Sequence, residues 1–169
     1  METDPDPRKV ARASLRPALA ALLYLLVTLA LMAPVLAHPR HVALGHEGND
    51  VWNHVWGFWF VADAFAHGRL PLQAAQLNWP QGGALWFIDS FNAVLTLPVQ
   101  WAWGPTAAYN AAMGFNLWLC GVGACVLAWQ VTRSWPGAVV AGLCFMSAPH
   151  FLGQAINGIS ETLAAGWLP

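Results

Sequence analysis

Positions 46–54 read His-Glu-Gly-Asn-Asp-Val-Trp-Asn-His, the densest run in the chain of groups that can move a proton or hold an ion. Glu47 and Asp50 stand three apart, just ahead of a periodic apolar stretch. Asp50, Asn53 and His54 fall at i, i+3 and i+4, one face of any helix that starts there. A carboxylate so placed can accept a proton from an attacking hydroxyl, or bind a divalent cation that clamps a phosphate. Its plainer role is structural, because an acid at a helix start is favoured by the dipole whatever its chemistry. A second polar group holds His150, Gln154, Asn157 and Glu161. Glu161 follows Asn157 by four residues, so the two can share a helical face turned toward Asp50. Asp89 is either a further acid or the cap of the helix that follows it. His38, His41, His46 and His54 with Glu47 invite a zinc reading, but no compact ligand spacing occurs among them. The sequence contains no glycine-rich phosphate cradle, serine-hydrolase elbow or dinucleotide fingerprint.

The elements that must position these groups are membrane elements. Hydrophobic residues make up 57% of the 169 and charged residues 9%, against about 25% charged in soluble domains. No charge occurs between Asp89 and Arg133, nor between Arg133 and Glu161. An ionised group at the centre of a membrane helix costs about 2.5–3.5 kcal/mol on insertion scales, so such stretches suit hydrocarbon. A net charge of −1 gives no reason to expect a nucleic-acid partner. The three cysteines lie in apolar runs and read as small hydrophobes. Seven of the eleven tryptophans fall between Trp52 and Trp103, outside the best spans, where an interfacial position suits them.

Residues 1–16 carry Arg8, Lys9, Arg12 and Arg16 and form a basic tail, expected to be disordered and cytoplasmic. Residues 17–37 lack charge and as a helix would be about 30 Å long, a first span kept in preference to a cleaved signal peptide. Residues 38–105 form an external loop with interfacial helices. Within it, 50–67 should be an amphipathic helix capped by Asn49, with Trp52, Trp56 and Trp59 against lipid or the first span. Asn78-Trp79-Pro80-Gln81-Gly82-Gly83 is a turn by composition. Residues 90–103 are too short to span and are broken by Pro98. Residues 106–132 are a second span, with Gly121, Gly123 and Ala124 for close packing. Residues 136–149 form a third, and 150–169 an external polar stretch leading into a further helix. The basic residues place the N-terminus and Arg133 in the cytoplasm and both polar groups outside. The fold class expected is all-α, polytopic, with external juxtamembrane amphipathic helices. The final apolar run suggests a fragment whose C-terminal part is missing.

Several features occur in a familiar order over residues 17–169. A basic tail and span lead to an external Gly48-Asn49-Asp50 before a Trp-rich helix. The Asn-Trp-Pro-Gln-Gly turn, a Pro-broken short helix, an Ala108-Tyr109-Asn110-led span and Ser147-Ala148-Pro149-His150 follow. The arrangement resembles the N-terminal part of bacterial GT-C-type membrane glycosyltransferases. That resemblance implies a multi-pass protein of the inner (plasma) membrane that uses a polyprenyl-phosphate sugar on the non-cytoplasmic face. It implies a catalytic acid at Asp50, with Glu47 beside it, and a divalent metal (Mg or Mn) at Asp50. Asn53, His54, His150 and Glu161 are the expected substrate-binding residues. Many members carry an adjacent acidic pair where this chain has Asn49 and Asp50, and the fragment alone is expected to be inactive. The alternative is a non-catalytic polytopic protein, a transporter subunit or assembly factor with degenerate motifs.

Overall fold

The computed structural model describes residues 7–84 and 89–168, and for residues 7–14 the backbone alone. The side chains of Arg8, Lys9 and Arg12 therefore lie outside the described set. Helix α1 runs from Pro7 to Leu36. Residues 7–16, expected to be disordered, are thus its first turns. Proline at a first helical position explains the start, since its missing N–H would have no partner there anyway.

The described residues are mostly helical. After α1 come α2 (Val51–Ala66), α3 (Ser90–Leu95), α4 (Leu97–Trp103), α5 (Pro105–Thr132), α6 (Trp135–Met146), α7 (Pro149–Asn157) and α8 (Ser160–Leu163), then a 3-10 turn at Ala164–Trp167. One feature is not helical. Strands β1 (Gln73–Ala74) and β2 (Gly83–Ala84) pair antiparallel, and the expected Asn78–Gly83 turn joins them. The break at Pro98 is also real: α3 ends, Thr96 intervenes, and Pro98 sits in the first turn of α4.

Three helical stretches are long and apolar enough to cross a membrane: Leu15–Leu36, Pro105–Thr132 and Trp135–Asn157, of mean hydropathy 2.5, 1.7 and 1.4. The third includes both α6 and α7. Ala148 is extended between them and Pro149 opens the second helix. The expected break at Pro149 occurs, but 150–157 is helix and not an open polar loop, because proline in a first turn starts a helix as readily as it ends one. Leu19, Leu22 and Leu26 on α1 are about half exposed. A stripe of leucines turned outward is what lipid, and not water, accommodates.

Packing among the spans follows from small residues. Tyr24 of α1 is fully buried, and its ring lies where Gly121 of α5 and Gly142 of α6 leave space; a Cβ on either would collide with it. The Tyr24 hydroxyl donates to the Val139 carbonyl at 3.1 Å, and Trp118 Nε1 donates to the Ala21 carbonyl at 2.9 Å. One core gathers around Tyr24, Leu117, Cys120 and Met146. A second joins Met32 and Val35 of α1 to Val51, Phe58 and Val61 of α2, Tyr109 and Met113 of α5, and Phe151 of α7. This second core holds the start of α2 against the end of α7, and there the two polar groups of the sequence meet.

Candidate functional site

The loop between α1 and α2 has few apolar anchors, so its backbone must be held by polar ones. Asn110, nearly buried in the first turns of α5, does this. Its Oδ1 accepts from Leu44 N–H at 2.9 Å, and its Nδ2 donates to the carbonyls of Pro39 (3.0 Å) and Val42 (2.8 Å). The neighbouring Tyr109 hydroxyl donates to the Leu44 carbonyl at 2.8 Å, and its ring meets Phe58 of α2 edge-on. Two adjacent residues of a span therefore fix both the incoming loop and the helix it leads to.

Helix α2 begins at Val51, close to the expected position, with Asp50 at its N-cap. The Asp50 side chain makes no capping bond. Its Oδ1 receives only the Asn53 amide at 3.4 Å. Asn49, expected to cap, instead donates its Nδ2 to Asn157 Oδ1 at 2.9 Å, because the end of α7 lies within its reach. Asp89 behaves in the opposite way. Both its oxygens are engaged by Asn92, one by the backbone N–H and one by the side-chain amide, so it is a buried helix cap and not a second acid.

His54, expected on the polar face of α2, is buried. A buried imidazole needs partners for both nitrogens, and both come from the start of α8. Ser160 Oγ lies 3.5 Å from Nδ1 and Glu161 Oε2 lies 3.3 Å from Nε2. Glu161 is about half exposed, and the His54–Glu161 contact faces a cleft of about 280 Å³ lined by Asp50, Asn53, His54 and Glu161. The cleft lies between α2 and α8 and not between the first and second spans. Burial on one side, two carboxylates facing an opening and amides beside them make a place where a hydroxyl can be bound and deprotonated.

The structure thus brings together Asp50, Asn53, His54 and Glu161 of the expected site residues. Glu47 is exposed and lines a neighbouring cleft of about 190 Å³ with His41, Gly45, Val51 and Trp52. His150 is exposed and stacks edge-on against Phe151, away from this cleft. Asn157 and Glu161 do not share a helical face, since Gly158 turns left-handed between α7 and α8. Both still reach the first polar segment, Asn157 through Asn49 and Glu161 through His54. Ser160, Tyr109 and Asn110 escaped the reading as site residues; a polar pair opening an otherwise apolar span was the available signal for the last two. Trp52 and Trp59 are exposed and Trp56 is half-buried, stacked on Phe60, while α2 packs on α3, α4 and α5 and not chiefly on the first span. Among the described residues no three His, Cys, Asp or Glu side chains gather as a metal-ligand set.

No known protein family matches the sequence, and no curated protein or solved structure matches it either. Fold and composition carry the chain to the level of class: a mostly helical protein with three helical stretches long and apolar enough to cross a membrane, which suggest a multi-pass membrane protein, and a polar cleft beside them.

Proposed function

We propose that this chain forms the N-terminal part of a GT-C-type membrane glycosyltransferase, which moves a sugar from a polyprenyl-phosphate donor to an acceptor hydroxyl on the non-cytoplasmic face. The observation that carries this reading is the Asp50 carboxylate. It stands at a helix start, is not spent on capping, and lines one cleft with His54 and Glu161. A purely structural acid would resemble Asp89, with both oxygens engaged.

In this mechanism Asp50 takes the proton of the acceptor hydroxyl as its oxygen attacks the anomeric carbon. The bond from that carbon to the donor phosphate breaks, and the lipid phosphate leaves with the electron pair, inverting the configuration. Asn53 steadies Asp50, while Glu161 on the α8 wall, oriented by the buried His54, hydrogen-bonds a sugar hydroxyl. Among the described residues no three-ligand cluster surrounds Asp50; a divalent cation there would rest on Asp50 together with the donor's phosphate. The exposure of Asp50 favours a second reading, a non-catalytic polytopic protein such as a transporter subunit or assembly factor.

The two readings part in an assay of membranes carrying the full-length protein with radiolabelled polyprenyl-phosphate sugars. Asp50→Asn should lower transfer by about 10²–10⁴-fold, the usual worth of a positioned base, with membrane insertion unchanged. Transfer within twofold of the parent, or none by the parent with any donor, would leave the non-catalytic reading.

A further inference from the structure

At the opposite end of the spans, α1 does not close on the packed pair α5 and α6. They leave a recess of about 330 Å³ whose lining includes Arg16, Ala21 and Tyr24 of α1, Val122 and Trp129 of α5, and Trp135 of α6. Trp129 and Trp135 meet edge-on with centroids 5.7 Å apart and form one wall. From Arg16 to Tyr24 the recess follows α1 for about 12 Å. Its walls are almost wholly apolar, so water inside would lack the two to four polar partners it needs. Its charge comes from one lining residue, Arg16. Arg133 is not part of the lining but occupies the turn between the two tryptophan-bearing helices, two residues before the lining Trp135, in a left-handed conformation.

Neither arginine has a carboxylate partner among the described residues. The acids of the described chain (Glu47, Asp50, Asp63, Asp89, Glu161) all belong to the segments at the other end of the spans. Tryptophan pairs and arginines at the end of a span match the depth of lipid headgroups. An apolar slot under a cationic rim therefore suits one kind of molecule, with a hydrocarbon chain and a negative head.

We propose that this recess is a binding site for an anionic phospholipid, its acyl chain lying between α1 and α5 against Tyr24 and the tryptophans, its phosphate held by Arg16 and Arg133. A free phosphate would gain nothing from the slot, and a zwitterionic lipid gains little from the rim. The site is independent of glycosyl transfer and rests only on the spans being in a bilayer. A lipid wedged there would fill the gap between α1 and the α5–α6 pair, which Trp129 and Trp135 already join at this end.

The test uses the 169-residue chain reconstituted in vesicles of equimolar phosphatidylcholine and phosphatidylglycerol, extracted in mild detergent and weighed intact by native mass spectrometry. The parent chain should retain phosphatidylglycerol in preference to phosphatidylcholine. Arg16→Gln and Arg133→Gln should each reduce that retention about fivefold, the loss expected for one basic contact with an anionic headgroup. Ala21→Trp should fill the slot and abolish retention of both lipids. Leu22→Trp, on the outward side of the same turn, should leave it intact and shows that a bulky change to α1 is itself tolerated. Equal retention of the two lipids by the parent would overturn the proposal. So would retention unchanged in the arginine and Ala21 variants, or a parent that carries no lipid because two chains cover the recess.

Discussion

Gly158 offers a direct test of how the cleft is held together. It ends α7 with φ of +79° and presses on the first residue of α2. A Cβ placed there would lie 2.6 Å from Val51 Cβ and 2.9 Å from Val51 Cα. Carbon atoms pack at about 3.5–4.0 Å, so Gly158→Ala must push the α7–α8 junction back by about 1 Å. The left-handed backbone costs a side-chain-bearing residue roughly 1–2 kcal/mol, and overpacking costs roughly a further 1–3 kcal/mol. The retreat also has a local signature. Ser160 and Glu161 lie 3.5 and 3.3 Å from the His54 ring, and another ångström takes both beyond hydrogen-bond reach. Gly158→Ala should therefore melt well below the parent in detergent. In a chain carrying Asn49→Cys, Asn157→Cys and Cys144→Ser, it should lose the short thiol cross-link that joins positions 49 and 157. Gly153→Ala is the matched control. It lies within α7 with open space around it, and alanine should stabilise a helix interior there by about 0.5–1 kcal/mol. A Gly158→Ala chain that melts with the parent and cross-links as efficiently would refute the argument that this close approach builds the cleft.

Asn110→Ala removes the partner of Leu44 N–H and of the Pro39 and Val42 carbonyls. It should cost about 2–4 kcal/mol and raise thiol labelling of an introduced Ala43→Cys severalfold; unchanged labelling would mean the loop is held by other contacts. Orientation is tested by the same cysteine. In intact cells Ala43→Cys should react with a membrane-impermeant thiol reagent, and Arg133→Cys only after the cytoplasmic side is opened, because the basic residues cluster at that end; the reverse pattern would invert the topology.

The elements were legible wherever their cause is local. The helix expected at 50–67 differs from Val51–Ala66 by one residue at each end, because tryptophan periodicity and the Gly68–Pro71 stop lie within the segment itself. The break at Pro98 follows from one residue's missing N–H. The helix before residue 17 and the helix after Pro149 were missed for a related reason. Proline ends one helix and opens another with the same chemistry, and only the backbone before it tells which. The extended Ala148 supplies that backbone at the second site. The small hairpin around Asn78–Gly83 was foreseen as a turn but not as paired strands, since each strand is two residues long and has no alternation to read.

The cleft was legible residue by residue but not as a set of contacts. Asp50, Asn53 and His54 follow from helical spacing, whereas Ser160 and His54 are 106 residues apart and no local signal joins them. What joins them is the path of the spans. α5 returns the chain from the Asp50 end, the turn at Arg133–Ser134 reverses it, and α6 with α7 carries it back. With the three candidate spans in a bilayer, the contact between His54 and Glu161 puts the segments before α5 and after α7 on one side of it, an argument that uses no charge count. The other half, which side that is, remains the expectation drawn from the basic residues, and the thiol labelling at positions 43 and 133 tests it. The Asn49–Asn157 bond repeats the first half with a different pair of side chains. A glutamate paired with a buried histidine and an uncommitted aspartate facing the same opening then follow from topology as much as from residue type. For that reason the cross-link between positions 49 and 157 tests the architecture on which the proposed chemistry at Asp50 depends.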